Sequence, residues 1–397
     1  MRRSLRSAAA CLLVGGLTLT AAPAYAGGDR WDVPSDTTIT IKGHGYGHGH
    51  GMSQHGAEGA AREGLGHAEI VEFYYPKTNW GRAKGRIRVQ ITGDTTDDLV
   101  VLPRQGLTVR DLRSGQSWVL PDKDATRWRV ARIADGRNRV SFQREGRWRG
   151  WRTLKGLGEF SAGGAEPVRL VTPSGTRAYR GRLAALAPAD APAARVTVNT
   201  LPLEQYLRGV VPLEIPASWS AAAVRAQSVA ARTYSAYERA HPRASIFDLC
   251  DTSSCQVYGG VAAEHPASDA AIRGTRRRIL KYAGGPAFTQ FSSSSGGWTS
   301  AGSVPYLVSK RDPYDDWSGN THHDWAVTLT DDRFESTWSS LGNLRRIVVP
   351  ARDGGGEWGG RVRTVRLVGS RNTVTVSGDS LRSALGLKST YLTFRVS

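Results

Sequence analysis

Sulfur is scarce in this chain, whose 397 residues include three cysteines and two methionines. Cys250 and Cys255 stand close together, while Cys11 lies in an apolar N-terminal run. No second cysteine pair is present to complete a four-thiolate zinc site, and no histidine lies between Cys250 and Cys255. His241 and His265 are the nearest imidazoles, so a metal pair remains the competing reading to a disulfide. Long apolar runs are missing beyond the N-terminus, and no later segment has the length of a membrane span. Acidic residues are in deficit, with 35 Asp and Glu against 53 Lys and Arg for a net charge of +18. That charge is not accompanied by a recognition-helix or zinc-finger pattern, so nucleic acid is not the expected partner.

The first residues have the form of a secretory signal. Arg2, Arg3 and Arg6 precede an apolar run from Ala8 to about Ala22, and Ala24-Tyr25-Ala26 supplies a cleavage site. Removing residues 1–26 takes Cys11 away and leaves about 371 residues, enough for two domains or one large one. The remaining 50 Lys and Arg against 35 Asp and Glu give +15 once the three leader arginines are set aside. The expected location is therefore extracellular or in a cell wall, with anionic wall polymers as a suitable partner. An even cysteine count in an oxidising compartment favours a Cys250–Cys255 disulfide.

The chain is organised around the stretch from Leu203 to Ala240. Val210-Val211 leads into Pro212, Glu214 and Pro216, and a long Ala-rich helix follows with Val224, Val229, Thr233 and Tyr237 at helical spacing. Ser218 is the expected N-cap, and the acid of a capping box is missing because Ala221 stands three residues on. Glu214 is thus a lone carboxylate on a proline-bracketed turn. An apolar setting raises a carboxyl's pKa, which suits a proton donor at neutral pH.

Upstream, Thr37–Lys42 alternates like a strand and feeds the tract Gly43–Ala57, where glycine occupies every second position as far as Gly51. That spacing does not fit a dinucleotide loop. His44, His48, His50 and His55 admit a metal reading, but a buried, hydrogen-bonded loop is the expectation. A helix pair or interrupted helix then runs to about Tyr75. From Arg86 to about Val198 short strands alternate with turns such as Ser114-Gly115 and Ala134-Asp135-Gly136, which predicts an antiparallel sheet or barrel-like unit. Trp118, Trp128, Trp148 and Trp151 belong to it, as core residues or as sugar-stacking rings. A helix over His265–Arg276 and a strand over Arg278–Tyr282 lead to Phe-Ser-Ser-Ser-Ser-Gly-Gly-Trp-Thr, residues 291–299. The fold class expected is α+β, with helices and antiparallel strands forming a core and a β-rich accessory region inserted in it.

The central stretch resembles the SpoIID/LytB family, in which Leu-Arg-Gly-Val-Val-Pro-x-Glu-Met-Pro precedes a helix carrying Ala-Gln-x-Val-Ala-Ala-Arg-Thr-Tyr. Tyr206–Pro216 and Ala226–Tyr234 match, with Ile215 in place of the Met. The family's glycine-histidine block is matched by His48, Gly49, Gly51, Met52, Ser53, Gln54, Gly56 and Ala57. In better-known members that block follows the Glu; here it precedes Glu214 by more than 150 residues, so the order looks circularly permuted. The resemblance implies four segments: the leader 1–26, the block with its helix at 27–80, a β-rich region at 81–195 and a catalytic core at 196–397.

It also implies a lytic transglycosylase of peptidoglycan, with Glu214 as catalytic acid and base leaving 1,6-anhydromuramic ends. Ser293, Ser295, Gly296, Gly297, His48, Gln54 and Tyr258 would bind substrate, and Gln227 and Arg232 would brace the long helix. No metal or other cofactor is called for. Glycosidases ordinarily use two carboxylates; the matching motifs offer only Glu214, with Asp251 the nearest possible second. LytB-type relatives imply a different role, as wall-binding enhancers of a partner amidase.

Overall fold

A computed structural model describes residues 28–163, 166–189, 191 and 194–397, so the expected leader lies outside the described residues. The helices are α1 (Gln54–Arg62), α2 (His67–Tyr74), α3 (Leu203–Arg208), α4 (Val211–Glu214), α5 (Ala221–Ala240), α6 (Pro266–Gly274), α7 (Asp331–Thr337) and α8 (Gly378–Leu385). Together with antiparallel strands in several sheets they make an α+β fold.

The hub is α5, buried along most of its length. Its alanines keep the surface flat, so α1, α2, α3, α6 and the strand Arg278–Tyr282 all pack against it. The buried hydroxyls of Ser228, Thr233 and Ser235 donate to carbonyls one turn back at 2.8, 2.7 and 2.7 Å. Arg232 is fully buried and spans between elements. It makes two 2.9 Å bonds to the Glu204 carboxylate on α3 and donates to the Ile272 carbonyl on α6 and the Arg278 carbonyl. Gln227 is equally buried, yet its amide nitrogen and oxygen find no hydrogen-bond partner among the described residues. Packing holds it within the helix's buried face.

The helix begins two residues later than Ser218 would place it. Ser220 is the N-cap, and its own side chain does not close the first turn. Glu58 of α1 does so from far away in sequence, accepting from the Ser220 N–H at 2.8 Å and from its hydroxyl at 3.1 Å. A carboxylate there neutralises the free donors and the positive end of the helix.

Two open sheets build the β-rich region, and among the described residues neither closes into a barrel. One has seven strands in the order Leu249–Cys250, Arg86–Gln90, Val196–Pro202, Arg182–Leu186, Gly158–Ser161, Thr108–Asp111, Ser117–Val119. The other has six: Arg147–Leu154, Asn138–Arg144, Arg127–Arg132, Asp98–Val101, Val168–Thr172, Gly175–Tyr179. The boundary expected at 195/196 falls inside the first sheet, since Arg86–Gln90 pairs with Val196–Pro202 from Val198↔Gln90 to Pro202↔Arg86. Trp128, Phe160, Leu183 and Tyr206 accordingly share one continuous core with α5.

A second core joins the two ends of the described chain. The strand Thr38–His44 lies between Asp324–Thr330 and Leu392–Val396, antiparallel to both. Its Ile39 and Ile41 are fully buried against Phe334, Leu367, Leu381 and Phe394. Residues 324–396 thus pack with 29–44 around this core, apart from the α5 core. The glycine tract connects the two cores. Gly45 has φ +72°, and a Cβ there would lie 2.7 Å from the Ser294 carbonyl oxygen. Gly51 has φ +68°, and its Cβ would lie 2.1 Å from the Gln290 oxygen. Only glycine meets both demands, a positive φ and backbone-to-backbone approach.

Candidate active site

Pro212 fixes φ in the first turn of α4, and the buried side chains of Val210 and Val211 anchor that turn in the α5 core. After one turn Ile215 returns to extended backbone before Pro216, leaving Glu214 at the end of the helix. Its carboxyl is half-buried and accepts one hydrogen bond, from the Val257 N–H at 3.2 Å. Burial pushes the group up to about 7, and that single hydrogen bond opposes the rise only in part. No cation pairs with it among the described residues.

The Val257 N–H is itself held in place. Neighbouring Gln256 is buried, with its side-chain oxygen accepting from Ser235 of α5 at 2.8 Å and from Tyr206 of α3 at 3.3 Å. Just before it, Cys250 and Cys255 form a disulfide with Cα atoms 5.5 Å apart. Asp251 is tied to the neighbouring sheet, its Oδ1 accepting from the Thr92 N–H at 3.1 Å and hydroxyl at 2.6 Å.

The residues expected to bind substrate separate into two groups. Ser293 and Gly297 are half-exposed. Tyr258, Ser295, Gly296 and Gln54 are buried, which corrects the expectation for each, while half-buried His48 is engaged by its neighbour His50. Tyr258 is 3% exposed between Tyr179 and Tyr206 and donates to Asn199 Oδ1 at 2.9 Å. Ser295 donates its hydroxyl to Asp312 at 2.8 Å, and the Gly296 N–H donates to Asp315 at 3.0 Å. Gln54 is buried at the start of α1. The His48 ring stacks on His50 and accepts the His50 N–H at 2.9 Å, and burial lowers its pKa to about 3.

A pair of fully buried carboxylates stands behind the serine-glycine loop. Asp315 accepts from Ser53 at 2.5 Å, Ser294 at 2.7 Å, the Ser295 N–H at 2.9 Å, and Asn320 and His323 at 3.0 Å each. That many donors hold it down to about 2 against the effect of burial. Asp312 has Tyr74 at 2.9 Å and Ser295, and burial next to charged Asp315 raises it to about 7.

A family model described as Stage II sporulation protein, SpoIID, matches residues 193–282. Residues 193–282 are thus similar to the SpoIID family. The amidase enhancer of Bacillus subtilis (strain 168) is 39% identical over 136 residues, 33% of this chain and 18% of that protein. Stage II sporulation protein D of the same strain is 35% identical over 149 residues, covering 31% and 42%. Stage II sporulation protein D of Bacillus amyloliquefaciens is 32% identical over 177 residues, covering 38% and 47%. The chain therefore spans less than half the length of each of these relatives.

The segment matched by that model includes Glu214, α5, the disulfide and Tyr258, whereas the serine-glycine loop and the glycine-histidine tract lie outside it. What ties them to that segment is a group of rings of which the sequence pattern marks only His55. The His55 ring packs edge-on against Trp219 at 4.8 Å, five residues after Glu214, and its Nδ1 donates to the Ser293 carbonyl at 2.9 Å. His322, Trp317 and half-exposed Tyr46 extend the cluster. The position of Trp219 on the short Ile215–Ser220 connection was the available signal.

Proposed function

We propose that the protein is a secreted cell-wall lytic transglycosylase in which Glu214 is the general acid and base. The single observation carrying this reading is a half-buried, unpaired carboxyl with a pKa near 7 on the proline-bracketed turn. At neutral pH a large fraction of Glu214 holds a proton that it can give to a glycosidic oxygen. As the bond between that oxygen and the muramic C1 breaks, the carboxylate takes the proton of the same sugar's 6-hydroxyl. The 6-oxygen then closes on C1, giving a 1,6-anhydro ring without water. One carboxyl suffices because the substrate supplies the nucleophile, consistent with Asp251 being engaged by Thr92. The exposed part of Ser293 and the Trp219–His55 cluster would flank the glycan strand.

The family association with a cell-wall role supports this reading, and the 39% identity to an amidase enhancer supports a second one: a wall-binding partner that stimulates an N-acetylmuramoyl-L-alanine amidase without cutting glycan itself. Incubation with purified glycan strands separates the two by mass spectrometry. Anhydromuramyl ends from the native protein and none from Glu214→Gln are expected. Native protein that leaves the strands intact yet accelerates an amidase would replace the first reading with the second.

A further inference from the structure

The six-stranded sheet carries a concentration of charge that Glu214 chemistry does not use. Between Arg127 and Leu154 stand nine arginines against Asp135 and Glu145, a net +7 over 28 residues. Three adjacent antiparallel strands, Arg127–Arg132, Asn138–Arg144 and Arg147–Leu154, hold all of the arginines but Arg137, which lies in the turn between the first two. Alternation sends Trp128, Val130 and Val140 into the core, and it places Arg129 and Ser141, opposite one another in register, on the other face.

A groove of about 770 Å³ runs there, bordered by Arg129, Arg139, Arg195, Asn138, Ser141 and Trp148. Ile133, Leu157 and Leu186 give it an apolar side. Asp97 and Asp98 also border it, but Asp98 is neutralised by Arg129 at 3.1 Å. The Arg129 guanidinium lies 4.2 Å over the Trp148 ring. Arg195 is held by Asp94 at 2.8 Å, and its Nε and that of Arg129 are buried without an acceptor among the described residues. Arg139 is exposed and makes no hydrogen bond or close ion pair among the described residues, with Asp135 the carboxylate that feels its charge. Its stem lies across Gly150, where a Cβ would come within 3.3 Å of Cδ.

We propose that this groove binds a linear polyol-phosphate polymer. Guanidinium forks match the paired oxygens of a phosphodiester, and the apolar side accommodates the methylenes between phosphates. A single bordering aromatic ring, already covered by Arg129, does not make the row of stacking platforms that single-stranded nucleic acid uses. The groove does not depend on the reading of Glu214 as a catalyst.

The test is titration of the full chain with poly(glycerol phosphate) at two salt concentrations, comparing native protein with Arg139→Glu, Trp148→Ala and Arg366→Glu. Arg366 is an exposed arginine on the distant strand Val362–Gly369 and serves as the charge-matched control. A loss of about tenfold or more is expected for Arg139→Glu and a clear loss for the charge-neutral Trp148→Ala, with about twofold or less for Arg366→Glu. Unchanged melting temperatures would show that all three variants are folded. Equal losses for Arg139→Glu and Arg366→Glu would overturn the site in favour of general attraction. So would no binding by the native protein, or tighter binding of a single-stranded oligonucleotide of equal charge.

Discussion

Two carboxyls in this molecule are raised to about 7 by burial, and they sit in opposite circumstances. Glu214 accepts one backbone N–H and keeps an open side. Asp312 is fully enclosed, with Tyr74 and Ser295 donating to it and charged Asp315 beside it. A shifted pKa alone would nominate either of them. Access separates them: a glycosidic oxygen can approach Glu214, whereas Asp312 and Asp315 hold the serine-glycine loop from behind. On the proposed reading, the same shift marks a reacting group in one region and a scaffold in the other.

The comparison can be broken most severely by removing the scaffold's donors. Deleting residues 37–80 takes away Ser53 and Tyr74, the strand between the two C-terminal-half strands, and the Glu58 cap of α5. Loss of cooperative folding by circular dichroism is expected, and a truncated chain that still melts cooperatively would show the two regions to be independent. Next, Glu214→Gln should cut glycan cleavage by roughly 10²–10⁴-fold with the fold intact, the range for a general acid–base group. Asp315→Ala should instead lower stability by about 3–5 kcal/mol in denaturant titration, because several buried donors lose their acceptor.

The pH dependence of stability carries opposite signs at the two places. Asp315, held down to about 2, stabilises the fold above its unfolded value near 3.8, and that contribution of about 2 kcal/mol fades as pH falls from 4 toward 2. Glu214, raised from 4.5 to about 7, costs stability that grows as pH climbs between those values and then levels off. Glu214→Gln should therefore be more stable than native protein by on the order of 1–3 kcal/mol above pH 7 and indistinguishable below about pH 4. Asp312→Asn, which mimics the protonated acid, should have the smallest effect, about 1 kcal/mol or less, with cleavage within about threefold of native. Loss of cleavage from Asp312→Asn equal to that from Glu214→Gln, in folded protein, would erase the distinction between the two acids.

Much of this was legible in the chain itself. The proline-bracketed turn, the Ala-rich helix and the strand pattern of the β-rich region follow from local chemistry, and α5, the helix pair and Arg278–Tyr282 lie where the periodicity puts them. The start of α5 was misplaced because its capping acid, Glu58, comes from 162 residues away. The inward turn of Tyr258 and Ser295 was equally hidden, since a motif gives residue types without saying which face carries them. Only the fold reveals that hydroxyls from Ser53 and Ser294 converge on Asp315. The shared sheet across 195/196 and the core built from the two chain ends are long-range pairings that no local pattern announces.

Glycan cleavage by the native protein as a function of pH tests the role of Glu214 most directly. If its proton is the one delivered to the glycosidic oxygen, kcat/KM should fall about tenfold per pH unit above a midpoint near 7, following the loss of that proton. A rate that stays flat from pH 6 to about pH 9 would mean that the proton comes from elsewhere.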